Sequence, residues 1–332
     1  MASWRGYLVT KATDASAHAT LETGLTDDTL MDGDVTVDVE FSSVNFKDAL
    51  ALTGQPGVVR KHPLIPGIDL VGTVAHSESA NWSAGDRVLV VGQGIGESHH
   101  GGLAERARVP GDWLVRVPDG ISSERAAAIG TAGFTAQLAV LALGEGGVDE
   151  VGDGEVLVTG ATGGVGSIAI ALLAANGFSV TAATGKESSH EYLRSLGATS
   201  IIDRAELAEP GKPLQSQRWA GAVDTVGGIP LANVLAQTHY GGTVTACGLA
   251  ASSDLPATVM PFILRAVSLV GINSVYTPAE RRAQAWERLE RDLDLDQLDS
   301  MTTTVPLADA VGVAERLMAG SNTGRTVVDV QA

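Results

Sequence analysis

The sequence predicts an α/β chain in two parts, a doubly wound parallel sheet joined to a mostly β domain, and three observations predict it. The chain has 332 residues, beyond the size at which a single core stops growing and divides. Its first third carries short β-like runs broken by glycine and proline, whereas strands alternate with helices after Ser122. An apolar fraction of 44% with 18% charged residues and 40 glycines belongs to well-packed layers with many tight turns, not to a disordered chain.

In the first part the β-like runs are Val35–Val39, Leu70–Val74, Arg87–Val91 and Leu114–Val117. Ala126–Leu143 is alanine-rich and reads as helix, and a glycine-rich linker, Gly144–Gly154, follows it. Then come a strand at Val156–Thr159, a helix at Gly164–Asn176, a strand at Ser179–Ala183 and a helix through Tyr192 and Leu196. Strands at Ser200–Ile202, Ala222–Val226, Thr243–Cys247 and Ser268–Ile272 complete a six-stranded sheet. The segment Pro278–Asp292 reads as a charged, exposed helix, and Arg325–Asp329 returns to strand. No internal repeat is visible.

Composition excludes several functions. The only cysteine is Cys247, so no intrachain disulfide and no cysteine cluster for a structural zinc can form, which fits a reducing, cytoplasmic compartment. The N-terminus lacks the apolar core of a signal peptide, and polar and acidic residues arrive by Asp14, which argues against export. The longest apolar stretch, Val165–Phe178, falls short of the roughly 20 residues of a membrane span. A formal charge of −17 opposes nucleic acid and anionic membranes and keeps the chain soluble by self-repulsion; it also suits a salt-rich cytoplasm.

The strongest motif is Gly160-Ala161-Thr162-Gly163-Gly164-Val165-Gly166, which leaves a strand and opens a helix. Glycines there let the backbone turn tightly and approach a pyrophosphate, with helix N-terminal amides aimed at its oxygens. At the end of the next strand an acidic residue would accept from the NAD ribose and repel a 2′-phosphate. The chain instead reads Thr184-Gly185-Lys186, two small groups and a cation, so NADPH is the expected cofactor. Glu187 follows, with two readings: a ribose acceptor or a first-turn residue of the next helix.

Ordered stretches along nearly the whole chain resemble one family. They are Ser43–Leu50, Ile65–Asp69, Gly101–Glu105, Gly130–Ala136, the glycine motif, Asp224–Gly227 and Val259–Arg265. The chain is similar to the medium-chain dehydrogenase/reductase superfamily, and within it to the zinc-free, quinone-oxidoreductase-like branch that contains the acryloyl-CoA reductases (NADPH). The resemblance implies a GroES-like catalytic domain from residues 1–122 and 293–332, a Rossmann domain from residues 123–292 inserted into it, and an active site in the cleft. Metal-dependent relatives hold zinc with cysteine, histidine and an acidic residue, where this chain has Asn45 and Ile68-Asp69, so the resemblance implies no metal. His99 and His100 lack a third soft ligand nearby in sequence and read as a loop or substrate wall.

By the same resemblance, Thr131, Thr135, Thr162, Gly163, Gly164, Val165, Thr184, Gly185, Lys186, Leu249, Ile263, Ser274 and Asn322 line the cofactor site. Leu249 and Ile263 also read as ordinary core. Phe46 stands where the closest relatives place a tyrosine beside the nicotinamide, so its ring is expected to pack there without a hydroxyl. The implied reaction is hydride addition to an activated carbon–carbon double bond, acryloyl-CoA to propanoyl-CoA. Asn45 and Lys47 are candidates for orienting or electrostatic roles; Asp48, His99 or an ordered water would serve the proton step. Lys47 and Asp48 read equally well as structural ion-pair residues. Arg60-Lys61-His62, Arg106 and Arg108 are possible sources of a basic patch for CoA phosphates. Alternatives are a quinone or enone reductase with the same cofactor, and a non-catalytic NADPH-binding protein. The strand Ser268–Ile272 offers pairing with its copy in a homodimer.

Overall fold

The structure, a computed structural model, describes residues 3–11, 17–148 and 154–332. Met1, Ala2 and Asp14, used against export, and residues 149–153 of the glycine-rich linker lie outside the described residues. The chain forms two compact units. One comprises residues up to Thr131 with Ser274–Ala283 and Leu298–Ala332; the other comprises Ala132–Asn273 and Gln284–Gln297.

In the second unit six parallel strands lie in the order Ala198–Asp203, Val180–Thr184, Glu155–Val158, Trp219–Asp224, Thr238–Ala246, Ser268–Gly271. The first strand of the series is thus central, and the chain winds outward from it in both directions. That order leaves a crevice at the C-terminal ends of Glu155–Val158 and Trp219–Asp224, where successive crossovers part. The strands are parallel because their residues are apolar on both faces: all of Val180–Thr184 is buried. Leu157, Ala222 and Val244 pack with Trp219, Val234 and Leu235. On the helix Gly164–Ala175, every residue from Gly166 to Leu173 is buried.

In the first unit the sheet order is Thr302–Pro306, Arg325–Asp329, Val35–Ser43, Asp69–Ser77, Arg87–Val91, Val115–Arg116, and Arg106–Val109 also pairs with Val35–Ser43. Trp4–Lys11 and Ala17–Leu25 form a separate antiparallel hairpin. Val37, Val39, Leu70, Val88, Val90 and Val328 build the core with Ala49, Leu52 and Val313 from short helices.

Two expectations change. The helix Ala279–Asp292 is charged, but it buries Ala285, Trp286 and Leu289, so it is amphipathic rather than exposed. The longest apolar element is not Val165–Phe178 but Ser123–Glu145, 23 residues, long and apolar enough by composition to cross a membrane; 94% of its apolar window is buried inside the protein. It is not one regular helix. Gly130, at φ 45° and ψ −155°, interrupts it, and a Cβ there would stand 2.3 Å from Asp69 Oδ2. The division between the units falls between Thr131 and Ala132, next to this interruption.

Candidate active site

The dinucleotide motif sits at the C-terminal end of Glu155–Val158. Gly160 has φ 58°, and a Cβ on it would come within 2.2 Å of Thr225 Oγ1, so the loop closes only because that atom is absent. The neighbouring strand end is stitched to it. Thr159 Oγ1 donates to Asp224 Oδ1 (2.7 Å) and accepts from Thr225 N (3.1 Å), while Thr225 Oγ1 donates to Thr159 O (3.1 Å). Asp224 Oδ2 accepts from the amides of Val226 and Gly227, and burial raises its pKa above the usual carboxylate value. Gly163 caps the helix that begins at Gly164.

These residues open on a cavity of about 670 Å³, within the range of small-molecule sites, lined by Thr159–Thr162, Ala183–Lys186, Asp203–Ala205 and Val226 among others. Thr162, Thr184, Gly185 and Lys186 are therefore brought together, and Gly163, Gly164 and Val165 adjoin them. Thr184 Oγ1 accepts from Lys186 N (3.1 Å) and shapes the turn. Glu187 opens a short 3-10 turn, exposed and outside the cavity lining, which favours its first-turn reading.

The second cation of the cavity escaped the sequence reading. Arg204 directly follows the adjacent strand, Ala198–Asp203, and its side chain flanks Gly185: a Cβ on Gly185 would lie 2.8 Å from Arg204 Nε. The carboxylate beside it, Asp203, is partly occupied in accepting from Ala205 N (2.9 Å). Two cations at one edge of a glycine-lined cavity fit the pyrophosphate and 2′-phosphate of NADPH.

Thr135 is buried in the helix after Gly130. Leu249 and Ile263 are 63% and 71% exposed, which overturns their reading as core. The helix carrying Ile263, Met260–Arg265, is anchored by Arg265, which donates to Ala236 O (2.8 Å) and Gln215 O (2.6 Å).

In the first unit the candidate residues converge on a carboxylate that was not among them. Asp69 is fully buried and accepts through Oδ1 from the amide and hydroxyl of Thr131 (2.8 and 2.6 Å). Its Oδ2 accepts from Ser43 Oγ (2.5 Å) and Asn45 Nδ2 (2.8 Å). Arg325, also buried, donates to Asn45 Oδ1 (3.0 Å), Ser43 Oγ (2.9 Å) and Ala128 O (2.6 Å). Asn45 and Thr131 thus have their polar atoms engaged in a structural network.

Asp48 has a comparable job. It is 1% exposed, accepts from the amides of Asn45 and Ile68 (both 2.8 Å), and is raised to about pKa 7 by burial and then by the charge of Asp69. It caps a helix and ties down the Ile68 loop, away from solvent. Lys47 is ion-paired with Glu97 (2.7 Å). His99 rests edge-on against Trp113, with its ring nitrogens facing His100 O (3.1 Å) and Asp32 O (3.0 Å). His100 Nδ1 accepts from Ile65 N, so Nε2 carries the proton toward Thr29 O; burial lowers its pKa. By contrast Phe46 is 45% exposed at the helix start. Ser274 offers its carbonyl to Arg282 Nη2 (3.3 Å), and Asn322 donates to Thr326 Oγ1 (3.3 Å).

The basic residues divide. Arg106 is neutralised by Asp27 and Asp38, and Arg108 contacts Thr36 in a small polar pocket that also holds Asp34, His76 and Glu78. Neither is available as a free cationic patch.

This is the architecture of a two-domain nucleotide-dependent oxidoreductase. The alcohol dehydrogenase GroES-like domain model matches residues 31–119 and the zinc-binding dehydrogenase model matches residues 164–291. The chain is 53% identical to the probable acrylyl-CoA reductase AcuI of Escherichia coli (strain K12), over 97% of this chain and 99% of that protein. It is 50% identical to the acrylyl-CoA reductase AcuI of Ruegeria pomeroyi, over 90% of this chain and 91% of that protein. The crystal structure of E. coli K-12 YhdH with bound NADPH matches with a TM-score of 0.95 at 53% identity, over 98% of this chain and 99% of that one. The chain belongs to the medium-chain dehydrogenase/reductase superfamily, in the quinone-oxidoreductase-like branch with the acrylyl-CoA reductases.

Proposed function

We propose that this protein is an NADPH-dependent reductase of short enoyl thioesters, converting acryloyl-CoA to propanoyl-CoA. The observation that carries the cofactor reading is the pairing of Lys186 and Arg204 on adjacent strand ends around a glycine-lined cavity. The near full-length likeness to acrylyl-CoA reductases supports the substrate. When bound, NADPH supplies the hydride. The chain holds it through the amides at Thr162–Val165 and the cations Lys186 and Arg204, while exposed Leu249 and Ile263 of the same unit offer apolar surface.

We read Asn45, Lys47, Asp48 and His99 as structural rather than reacting groups, because each is engaged with protein partners. We assign the proton step to water, since Phe46 has no hydroxyl to give. Asn45 and Asp69 are committed to Arg325, Thr131 and Ser43, which supports chemistry without a catalytic metal.

The reading also includes a cytoplasmic homodimer. Ser268–Gly271 is an edge strand, and the helix Met260–Arg265 with its N-cap exposes Val259 and Leu264 in a stretch from Leu255 to Ala279 without carboxylates. Two copies of a chain at −17 meet with little repulsion between carboxylates there. Light scattering at micromolar concentration is expected to give the dimer mass.

The decisive assay follows NADPH oxidation with acryloyl-CoA, crotonyl-CoA and a simple quinone in parallel, with NADH as control. Preference for acryloyl-CoA with NADPH is expected; turnover of the quinone alone would overturn the substrate while leaving the hydride chemistry.

A further inference from the structure

Carboxylates number 39 in 332 residues, yet the 20 positions between Asp48 and Asp69 hold none. The only fixed charges there are Arg60 and Lys61, and both are exposed. Several other surface cations are neutralised: Arg5 by Glu105, Arg116 by Asp86, Arg125 by Asp299, Arg218 by Glu206. Among the described residues neither Arg60 nor Lys61 has a side-chain hydrogen bond or ion pair. In a chain with almost twice as many acids as bases, an adjacent unpaired pair is a local reversal of field, and it attracts anions that the rest of the surface repels.

The pair is also fixed in place. Arg60 N donates to Glu97 O (2.8 Å), and the Glu97 carboxylate holds Lys47 (2.7 Å), the residue after exposed Phe46. One residue therefore ties the cationic loop to the start of the helix that presents Phe46.

We propose that Arg60 and Lys61 receive the phosphates of the nucleotide end of the acyl-CoA substrate. This rests on the reading of the protein as an enoyl-CoA reductase and names the subsite that would distinguish a CoA thioester from a simpler activated alkene. Arg60 suits bidentate contact with a phosphate and Lys61 supplies a point charge.

The test compares the wild type, Arg60→Ala/Lys61→Ala and Arg60→Lys on acryloyl-CoA, its dephospho-CoA analogue and acryloyl-N-acetylcysteamine, which has no phosphate. In the double variant KM for acryloyl-CoA is expected to rise on the order of tenfold to a hundredfold. Its kcat, and its KM values for NADPH and for the phosphate-free thioester, are expected to stay within about twofold, which also reports an intact fold. Arg60→Lys should recover part of the loss. A loss preserved with the dephospho analogue assigns the pyrophosphate as the bound group, and one abolished with it assigns the 3′-phosphate. An unchanged KM for acryloyl-CoA in the double variant, or equal wild-type KM values for all three thioesters, overturns the subsite and leaves the enzyme reading standing. A wild type that reduces no thioester overturns both.

Discussion

Asp69 and Arg325 face each other at 3.6 Å with both side chains excluded from water, 0% and 3% exposed. Through them the start of one helix, the interruption at Gly130–Thr131 and the C-terminal strand share a single network. Removing one partner strands a buried charge. Arg325→Met is expected to cost about 3–5 kcal/mol in urea unfolding, and Asp69→Asn in that background to restore part of it. A loss under about 1 kcal/mol would show that the network adds little to stability.

Asp48 makes stability depend on pH in an unusual direction. Its folded pKa is about 7 against 3.8 for an unperturbed carboxyl, so the folded state binds the proton more tightly. Stability from this group is therefore greatest on the acid side, falls as pH rises from about 4 to about 7, and levels off above. Asp48→Asn should flatten that slope when unfolding free energies are compared at several pH values across the window. The same slope in the variant would place the proton elsewhere.

Cofactor preference should follow the two cations. Lys186→Ala and Arg204→Ala are each expected to raise KM for NADPH about tenfold to a hundredfold with KM for NADH little changed, since a hydrogen bond to a charged group contributes about 1.5–3 kcal/mol. If KM for both cofactors moved together, the two side chains would be serving the pyrophosphate instead of the 2′-phosphate.

The parallel sheet was legible because its inner strands, such as Val180–Thr184, are local runs of residues buried on both faces, and the glycine motif because its chemistry lies within seven consecutive residues. Arg204 was not, because its nearness to Gly185 exists only once two strands lie side by side; the available signal was a cation at the end of the next strand. Arg325 and Asn45 are 280 positions apart, and no periodicity links them. The hairpin strand Ala17–Leu25 was missed for another reason: it is half exposed and poor in β-branched and aromatic residues. The helix Ala279–Asp292 was misjudged because its charges outnumber the few large apolar residues that set its buried face.

Salt should stabilise the protein. At −17 the surface repels itself, and the screening length shrinks from about 10 Å at 0.1 M to about 3 Å at 1 M. A melting temperature higher by several degrees in 1 M than in 0.05 M sodium chloride is expected by calorimetry. A flat response would mean that the carboxylates are spaced widely enough to be indifferent to one another.

The strand Arg325–Asp329 pairs with Thr302–Pro306 on one side and Val35–Ser43 on the other, so residues translated some 280 positions after Ser43 belong in the interior of the sheet that Val35–Ser43 begins. At about 5–20 residues per second, Val35–Ser43 waits roughly 15–60 s for that neighbour. For most of this interval Asp69 is present without its arginine. A ribosome stalled anywhere before residue 325 therefore carries a nascent first unit with a missing strand and an uncompensated acid where its interior should close, a species for chaperones or proteases to intercept.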